Sequence, residues 1–175
     1  MTQVINWVVS KDQQIAFLVF SKWFKHSFWN YYFKISSKSG DGFFIVLFGF
    51  YLYLFIDNST RIIFTLFIAF IIDKIIYFLL KNSYKRLRPF ETIKDFKPRK
   101  IPFDRFSFPS GHTGSAVILS FFFYSIHFSF APLLVVWCVS VGLSRIYLGL
   151  HYPSDVLAGA LIASGISMLC FAAFL

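Results

Sequence analysis

The chain has 175 residues, of which 57% are hydrophobic and 14% charged, whereas a soluble domain carries about 25% charged residues. The net charge is +9, which in so apolar a chain favours contact with lipid phosphates over contact with nucleic acid. These features exclude an ordinary soluble enzyme and predict a protein embedded in the lipid bilayer.

Residues 1–41 differ from the rest because lysines alternate with tryptophan and tyrosine. Aromatic rings mixed with lysine are typical of helices that lie at the membrane surface, with the rings at headgroup level. We therefore predict an N-terminal interfacial amphipathic segment over residues 1–41 and a membrane-embedded core over residues 42–175. The alternative is a sixth, distorted spanning helix over residues 15–33.

A spanning helix needs about 20 mostly apolar residues. Five stretches meet or approach this requirement, at residues 42–56, 62–80, 113–130, 131–147 and 156–175. The sequence thus predicts an all-α integral membrane helical bundle of about five spanning helices. Antiparallel spans place the loop after the second span, the mouth of the third and the loop before the fifth on one face. All Lys and Arg residues except Arg61 and Lys74 fall on that face.

The stretch FPSGHTGS, residues 108–115, stands at the mouth of the third span. Ser110 is placed to cap this helix, and the unpaired N–H groups and dipole of a helix start favour an anion. Gly111 lets the backbone approach that anion closely because it has no Cβ. His112 therefore lies among cations, at a site suited to a phosphate.

Two neighbouring segments add to this site. Lys81 and Arg88 could flank a phosphate from the end of the second span, and Arg145 offers a planar fork that matches phosphate oxygens. His151 precedes the helix of the fifth span, which is expected to begin at Pro153, and Asp155 lies in the first turn of that helix. A carboxylate there can fix the tautomer of the imidazole, so that its other nitrogen faces the phosphate as a nucleophile.

Three motifs carry a resemblance to a known family. They are KNSYKRLRP at residues 81–89, PSGH at residues 109–112 and SRIYLGLHYPSD at residues 144–155. All three, in this order and each at a membrane boundary, resemble the phosphatidic acid phosphatase type 2 superfamily, also called acid phosphatase/vanadium haloperoxidase-like, in its bacterial membrane lipid phosphatase branch. The resemblance covers the chain from about the first span onwards.

The resemblance implies how the phosphate would be held. Lys81, Arg88 and Arg145 would bind the phosphoryl oxygens. Ser110 and the backbone of Gly111 would add hydrogen bonds. We expect no metal and no cofactor, since three fixed cations can supply the charge that a metal ion supplies elsewhere.

The resemblance also implies the catalytic roles. His151 would attack phosphorus and become phosphohistidine, Asp155 would orient His151, and His112 would protonate the leaving oxygen and then activate water. Lys74 lies about two turns deeper than Lys81 on the same helix stripe. It is a possible secondary site residue, and the alternative is that it pairs with Asp73 between the spans.

These features predict an enzyme that removes phosphate from a membrane lipid phosphate or pyrophosphate. The substrates of bacterial relatives are phosphatidylglycerophosphate, lipid A 1-phosphate and undecaprenyl pyrophosphate, and the sequence does not choose among them. A phosphotransferase with the same site and a non-catalytic lipid-binding protein are the alternatives. The resemblance places the protein in a bacterial inner membrane with its active site on the periplasmic or outer face, whereas the positive-inside rule favours the cytoplasmic face.

Overall fold

The computed structural model describes residues 2–21, 27–56, 59–94, 98–102 and 104–175, and every regular element in these ranges is helical. The α-helices are α1 (Thr2–Ser21), α2 (Ser27–Ser39), α3 (Gly42–Phe55), α4 (Ser59–Tyr84), α5 (Pro89–Thr92), α6 (Gly111–Ile126), α7 (Ala131–Tyr147) and α8 (Pro153–Phe174). The predicted all-α helical bundle is confirmed.

The five predicted spans coincide with α3, α4, α6, α7 and α8. In the described ranges, the stretch Ser59–Thr92 and α8 are each long and apolar enough to cross a membrane. Helices α2 and α3 form a third candidate if the two, which meet at an angle of 55°, are one bent span. Helices α6 and α7 have 16 and 17 residues and are shorter than a straight span requires. The number of five spans therefore stays a prediction.

Helix α6 lies at the centre of the bundle, in contact with α4, α7 and α8. Small residues allow this close packing, as they do in many membrane helix pairs. A Cβ on Gly114 would lie 3.1 Å from Asp73 Oδ1, and a Cβ on Gly159 would lie 2.5 Å from the carbonyl oxygen of Ser110. Gly159 of α8 is thus required for the mouth of α6 to sit where it does.

The N-terminal helices pack against this bundle. The Phe33 ring on α2 lies 4.7 Å from the ring of Tyr147 on α7, and the Tyr32 and Ser140 hydroxyls are 2.6 Å apart. The predicted boundary at residue 41 therefore falls at the bend between α2 and α3, and α2 forms part of the protein core. The alternative span over residues 15–33 crosses residues 22–26, which lie outside the described ranges.

The loops that carry the three motifs meet at one end of the bundle. Ser110 N donates a hydrogen bond to the Asp155 carbonyl oxygen at 3.0 Å, which joins the mouth of α6 to the start of α8. Arg61 contacts the other end of α8, where its Nε donates to the Phe174 carbonyl oxygen at 2.5 Å. At 1.5 Å per residue, the 19 residues between Asp155 and Phe174 separate the two ends by about 28 Å.

Candidate active site

A cavity of about 730 Å³ opens at the end of the bundle where the motifs meet. Its lining includes Gly111 and His112 at the start of α6, Arg145 near the end of α7, and His151 in the loop before α8. Residues from distant segments of the sequence, including the N-terminal Asp41, thus face one space.

A carboxylate already occupies the side of this cavity where Lys81 and Arg88 lie. Asp104 Oδ1 accepts a hydrogen bond from Arg88 Nη2 at 2.5 Å, and Asp104 Oδ2 accepts one from the Tyr77 hydroxyl at 2.5 Å and another from Lys81 Nζ. Both cations are buried, and neither lines the cavity, whereas Asp104 and Tyr77 do. Asp104 therefore stands between the two cations and the space that a phosphate would enter.

The charge of Asp104 is stabilised by these partners. Burial by itself would raise the pKa of the carboxyl group, but the hydrogen bonds from Lys81 and Tyr77 and the positive charges of Lys81 and Arg88 outweigh burial, and the pKa lies below its ordinary value of 3.8. An ionised carboxylate held by two cations is the electrostatic equivalent of a bound phosphate oxygen.

Arg145 and His151 also line the cavity. Arg145 Nη1 donates to the Ser37 hydroxyl of α2 at 2.5 Å. Arg145 Nε and His151 Nδ1 are both buried and have no hydrogen-bond partner among the described residues. Buried polar atoms are usually paired, so Arg145 Nε is a candidate for contact with a ligand, whereas His151 Nδ1 is the ring nitrogen on the side of Asp155.

Burial keeps His151 neutral. Desolvation, followed by the positive charges of Arg145, Arg88 and Lys81, holds the pKa of His151 well below its ordinary value of 6.5. A neutral imidazole has a lone pair with which to attack an electrophile, so the surroundings of His151 suit a nucleophile.

Asp155 lies beside His151 without a hydrogen bond to it. The distance from His151 Nδ1 to Asp155 Oδ2 is 3.8 Å, which is too long for a hydrogen bond. Asp155 instead accepts one hydrogen bond from Arg86 Nη1 at 2.7 Å and another from the Tyr152 amide at 2.8 Å. The predicted orienting role of Asp155 stays a prediction.

The contact of Arg86 with Asp155 extends to the N-terminal helix. Arg86 Nη2 donates to Asp12 Oδ2 of α1 at 2.7 Å, and Asp12 Oδ1 accepts a hydrogen bond from the Ser154 amide at 3.0 Å. A carboxylate near the amino end of α8 also interacts favourably with the dipole of that helix. The loop that carries His151 is thus fixed by α1 as well as by its own neighbours.

Two predicted residues have partners other than the expected phosphate. Ser110 precedes α6 as its N-cap residue, but its side chain caps no backbone amide and its hydroxyl lies 2.9 Å from the Thr113 hydroxyl. Lys74 Nζ lies 3.2 Å from Asp73 Oδ2, the pairing given above as the alternative. Lys74 also lines a second, smaller cavity next to His112.

Several site residues were missed by the motif analysis: Asp12, Asp41, Tyr77, Arg86 and Asp104. Tyr77 lies one helical turn before Lys81, a spacing at which side chains meet, and Asp104 is an acid in a strongly basic loop. Those two signals were available in the sequence. Asp12 and Asp41 carry no local signal, since only the fold brings them to the site.

The chain belongs to the PAP2 superfamily, whose family model matches residues 60–175. It is 34% identical over 106 residues to the bacitracin transport permease protein BcrC of Bacillus licheniformis, covering 60% of this chain and 51% of that protein. It is also 36% identical over 98 residues to phosphatidylglycerophosphatase B of Bacillus subtilis, covering 50% and 45%. The undecaprenyl-diphosphatase of Sulfolobus acidocaldarius is 34% identical over 126 residues, covering 67% and 58%. The chain thus spans about half the length of these relatives.

Two solved structures share the fold. A transmembrane PAP2-type phosphatidylglycerolphosphate phosphatase from Bacillus subtilis superposes with a TM-score of 0.78 at 26% identity, covering 95% of this chain and 86% of that one. LpxE of Aquifex aeolicus also gives 0.78, at 25% identity, covering 91% and 93%. The predicted family is confirmed, and the chain is an integral membrane protein.

The position of Asp104 generates a prediction for anion binding. Asp104→Asn removes the negative charge that competes for Lys81 and Arg88, so orthovanadate should bind more tightly, by about tenfold. In free energy, this gain is smaller than the Coulomb energy between two unit charges 4 Å apart at an intermediate dielectric constant. The measurement is the rise in unfolding temperature with vanadate concentration, which requires no turnover.

Asp104→Glu is the matched control because it keeps the charge, and its vanadate affinity should stay close to that of the wild type. Weaker vanadate binding in Asp104→Asn would contradict the interpretation. It would mean that Asp104 holds the two cations in place and does not compete with the anion.

Proposed function

We propose that this protein is an integral membrane phosphatase that removes a phosphate from a lipid phosphate or pyrophosphate headgroup through a phosphohistidine intermediate. The observation that carries this proposal is the neutral, buried imidazole of His151 beside Arg145, in a cavity that His112 also lines. Binding of an anion requires the cations alone. A second histidine and a neutral nucleophile are needed for bond breaking, which favours an enzyme over a lipid-binding protein.

The proposed reaction has two steps. In the first, a nitrogen of His151 attacks phosphorus, the bond from phosphorus to the lipid oxygen breaks, and His112 gives its proton to that oxygen. In the second, His112 takes a proton from water as the water attacks phosphorus, and the bond to His151 breaks to release inorganic phosphate. Arg145 stabilises the negative charge of the phosphoryl oxygens, joined by Lys81 and Arg88 once Asp104 is displaced.

The names of the relatives support lipid substrates. They include a phosphatidylglycerophosphatase, an undecaprenyl-diphosphatase and a lipid A 4'-phosphatase. We propose the same class of substrate for this chain: phosphatidylglycerophosphate, undecaprenyl pyrophosphate or lipid A 1-phosphate. All three present a phosphate at the membrane surface, and the cavity opens at one end of the helical bundle.

Phosphate release from these three lipids, by the purified protein in detergent with a chelator present, tests the function. We expect release from at least one lipid, because the fixed cations supply the charge that the transfer requires. His151→Ala should lose all release on every substrate, since it removes the nucleophile.

His127→Ala is the matched control. This histidine follows the other end of α6, where its Nε2 lies 2.5 Å from the Tyr51 hydroxyl, and the variant should keep its turnover. Loss of all release on chelation, restored by magnesium, would contradict the metal-independent mechanism. Phosphate release by His151→Ala equal to that of the wild type would contradict the nucleophile.

We further propose that the active site faces the periplasmic or outer side of a bacterial inner membrane. The positive-inside rule points the other way. That rule counts the positive charges of the loops. At the end of the bundle that carries the cavity, however, several cations form ion pairs within the site: Lys81 and Arg88 with Asp104, and Arg86 with Asp12 and Asp155. Because these cations are paired within the site, their positive charge is weaker evidence for the cytoplasmic side.

Lys94 is exposed in the loop of the catalytic end and reports its side. In a background in which Cys138 and Cys170 are replaced by alanine, a cysteine at position 94 should react with a membrane-impermeant thiol reagent in intact spheroplasts. Protection in intact spheroplasts, with reaction after lysis, would place the site in the cytoplasm.

A further inference from the structure

We propose that Asp41 is the positioning residue of His112 and stabilises its protonated ring, so that the general acid has a carboxylate partner of its own. This inference rests on the proposed phosphatase chemistry. Asp41 lies at the bend between α2 and α3, before the residues that the family model matches.

The carboxylate lies directly against the imidazole. Asp41 Oδ1 is 2.6 Å from His112 Nε2, an ion-pair distance, although the angle is outside that of a hydrogen bond. Nε2 is buried by this contact, which leaves Nδ1 as the ring nitrogen that can meet a substrate oxygen. A carboxylate orients a catalytic histidine when it contacts one ring nitrogen and the other ring nitrogen transfers the proton.

The side chain of Asp41 is not used to cap its own helix. Aspartate at the N-cap of a helix usually accepts a hydrogen bond from the first turn. Asp41 occupies the N-cap of α3, but its side chain makes no such bond. The carboxylate is directed to His112 instead.

The backbone of the bend is built to bring Asp41 close to α6. A Cβ on Gly40 would lie 2.8 Å from Val141 Cγ1 and 3.6 Å from His112 Cβ. No larger residue fits at position 40 unless α7 or α6 shifts. The close approach of the bend therefore depends on glycine, and the approach is what places Asp41 beside His112.

The electrostatics of the site explain why a general acid here needs an anion. His112 must carry a positive charge to donate its proton, yet Arg145 and Lys100 face the same cavity and oppose that charge. His151, the other histidine that lines the cavity, would gain negative charge through its phosphoryl group only after the first step. Asp41 is the carboxylate in contact with His112 before that step, and its negative charge favours the protonated ring against the two cations.

The test compares two leaving groups in Asp41→Asn. A lipid alkoxide leaves slowly unless it is protonated, whereas an aryl oxide leaves without a proton. General acid assistance is worth about 10²–10⁴-fold, and loss of the positioning carboxylate should remove part of this. We expect single-turnover release of the lipid alcohol to slow by about 10- to 100-fold, and release of p-nitrophenol from its phosphate ester to change by less than about threefold.

Three further variants separate positioning from structural support. Asp41→Glu should recover part of the lipid rate because it restores the charge. Asp12→Asn removes a buried carboxylate of the N-terminal segment that contacts Arg86 and Ser154, and any loss should be equal for the two leaving groups. In a His112→Ala background, Asp41→Asn should cost nothing more in the first step.

The outcomes are distinguishable. Equal slowing of both leaving groups by Asp41→Asn, or unchanged rates with both, overturns the role of Asp41 while leaving the phosphatase proposal intact. An additional loss in the His112→Ala background overturns it as well, since Asp41 would then act independently of His112. Failure of the wild-type protein to cleave either ester overturns the proposed function and this inference together.

Discussion

Buried positive charge at one end of a membrane bundle needs a counterion, and Asp104 supplies it for Lys81 and Arg88. An unpaired buried charge is costly, so two buried cations are stable in the folded protein only with an anion beside them. The contact also fixes the loop before α6 to the end of α4. The two cations are thus already in place for the anion-binding site that we propose.

The ion pairs of Asp104 with Lys81 and Arg88 have a consequence for the proposed catalysis. In the mechanism that we propose, a phosphoryl group that enters the cavity displaces the carboxylate, so part of the binding energy is spent in the ground state. As negative charge develops on the transferring oxygens, attraction to Arg145 and to the released cations grows, and interactions that strengthen in the transition state raise the rate. In this proposed mechanism, three protein cations fill the electrostatic role described for metal ions in other phosphoryl-transfer sites.

Sequence analysis predicted the helical bundle and the meeting of the three motifs at one end, because spanning segments are long and apolar and alternate in direction. It also named His112, Arg145 and His151, which the structure brings to one cavity. It could not supply Asp41 or Asp12. These carboxylates come from the segment predicted to lie at the membrane interface. Helices α1 and α2 pack against α7 and α8, and this packing brings the carboxylates to the site. The aromatic sequence of the segment shows no hydrophobic periodicity from which that packing could be predicted.

The central claim is that His151 is the covalent nucleophile. Its most direct test is rapid quenching of the protein after mixing with a substrate that carries labelled phosphate, followed by mapping of the modified peptide. A label that acid removes and base does not, located on His151 and absent from His151→Ala, is the predicted result. A label on another residue, or a label that persists in His151→Ala, would contradict the account.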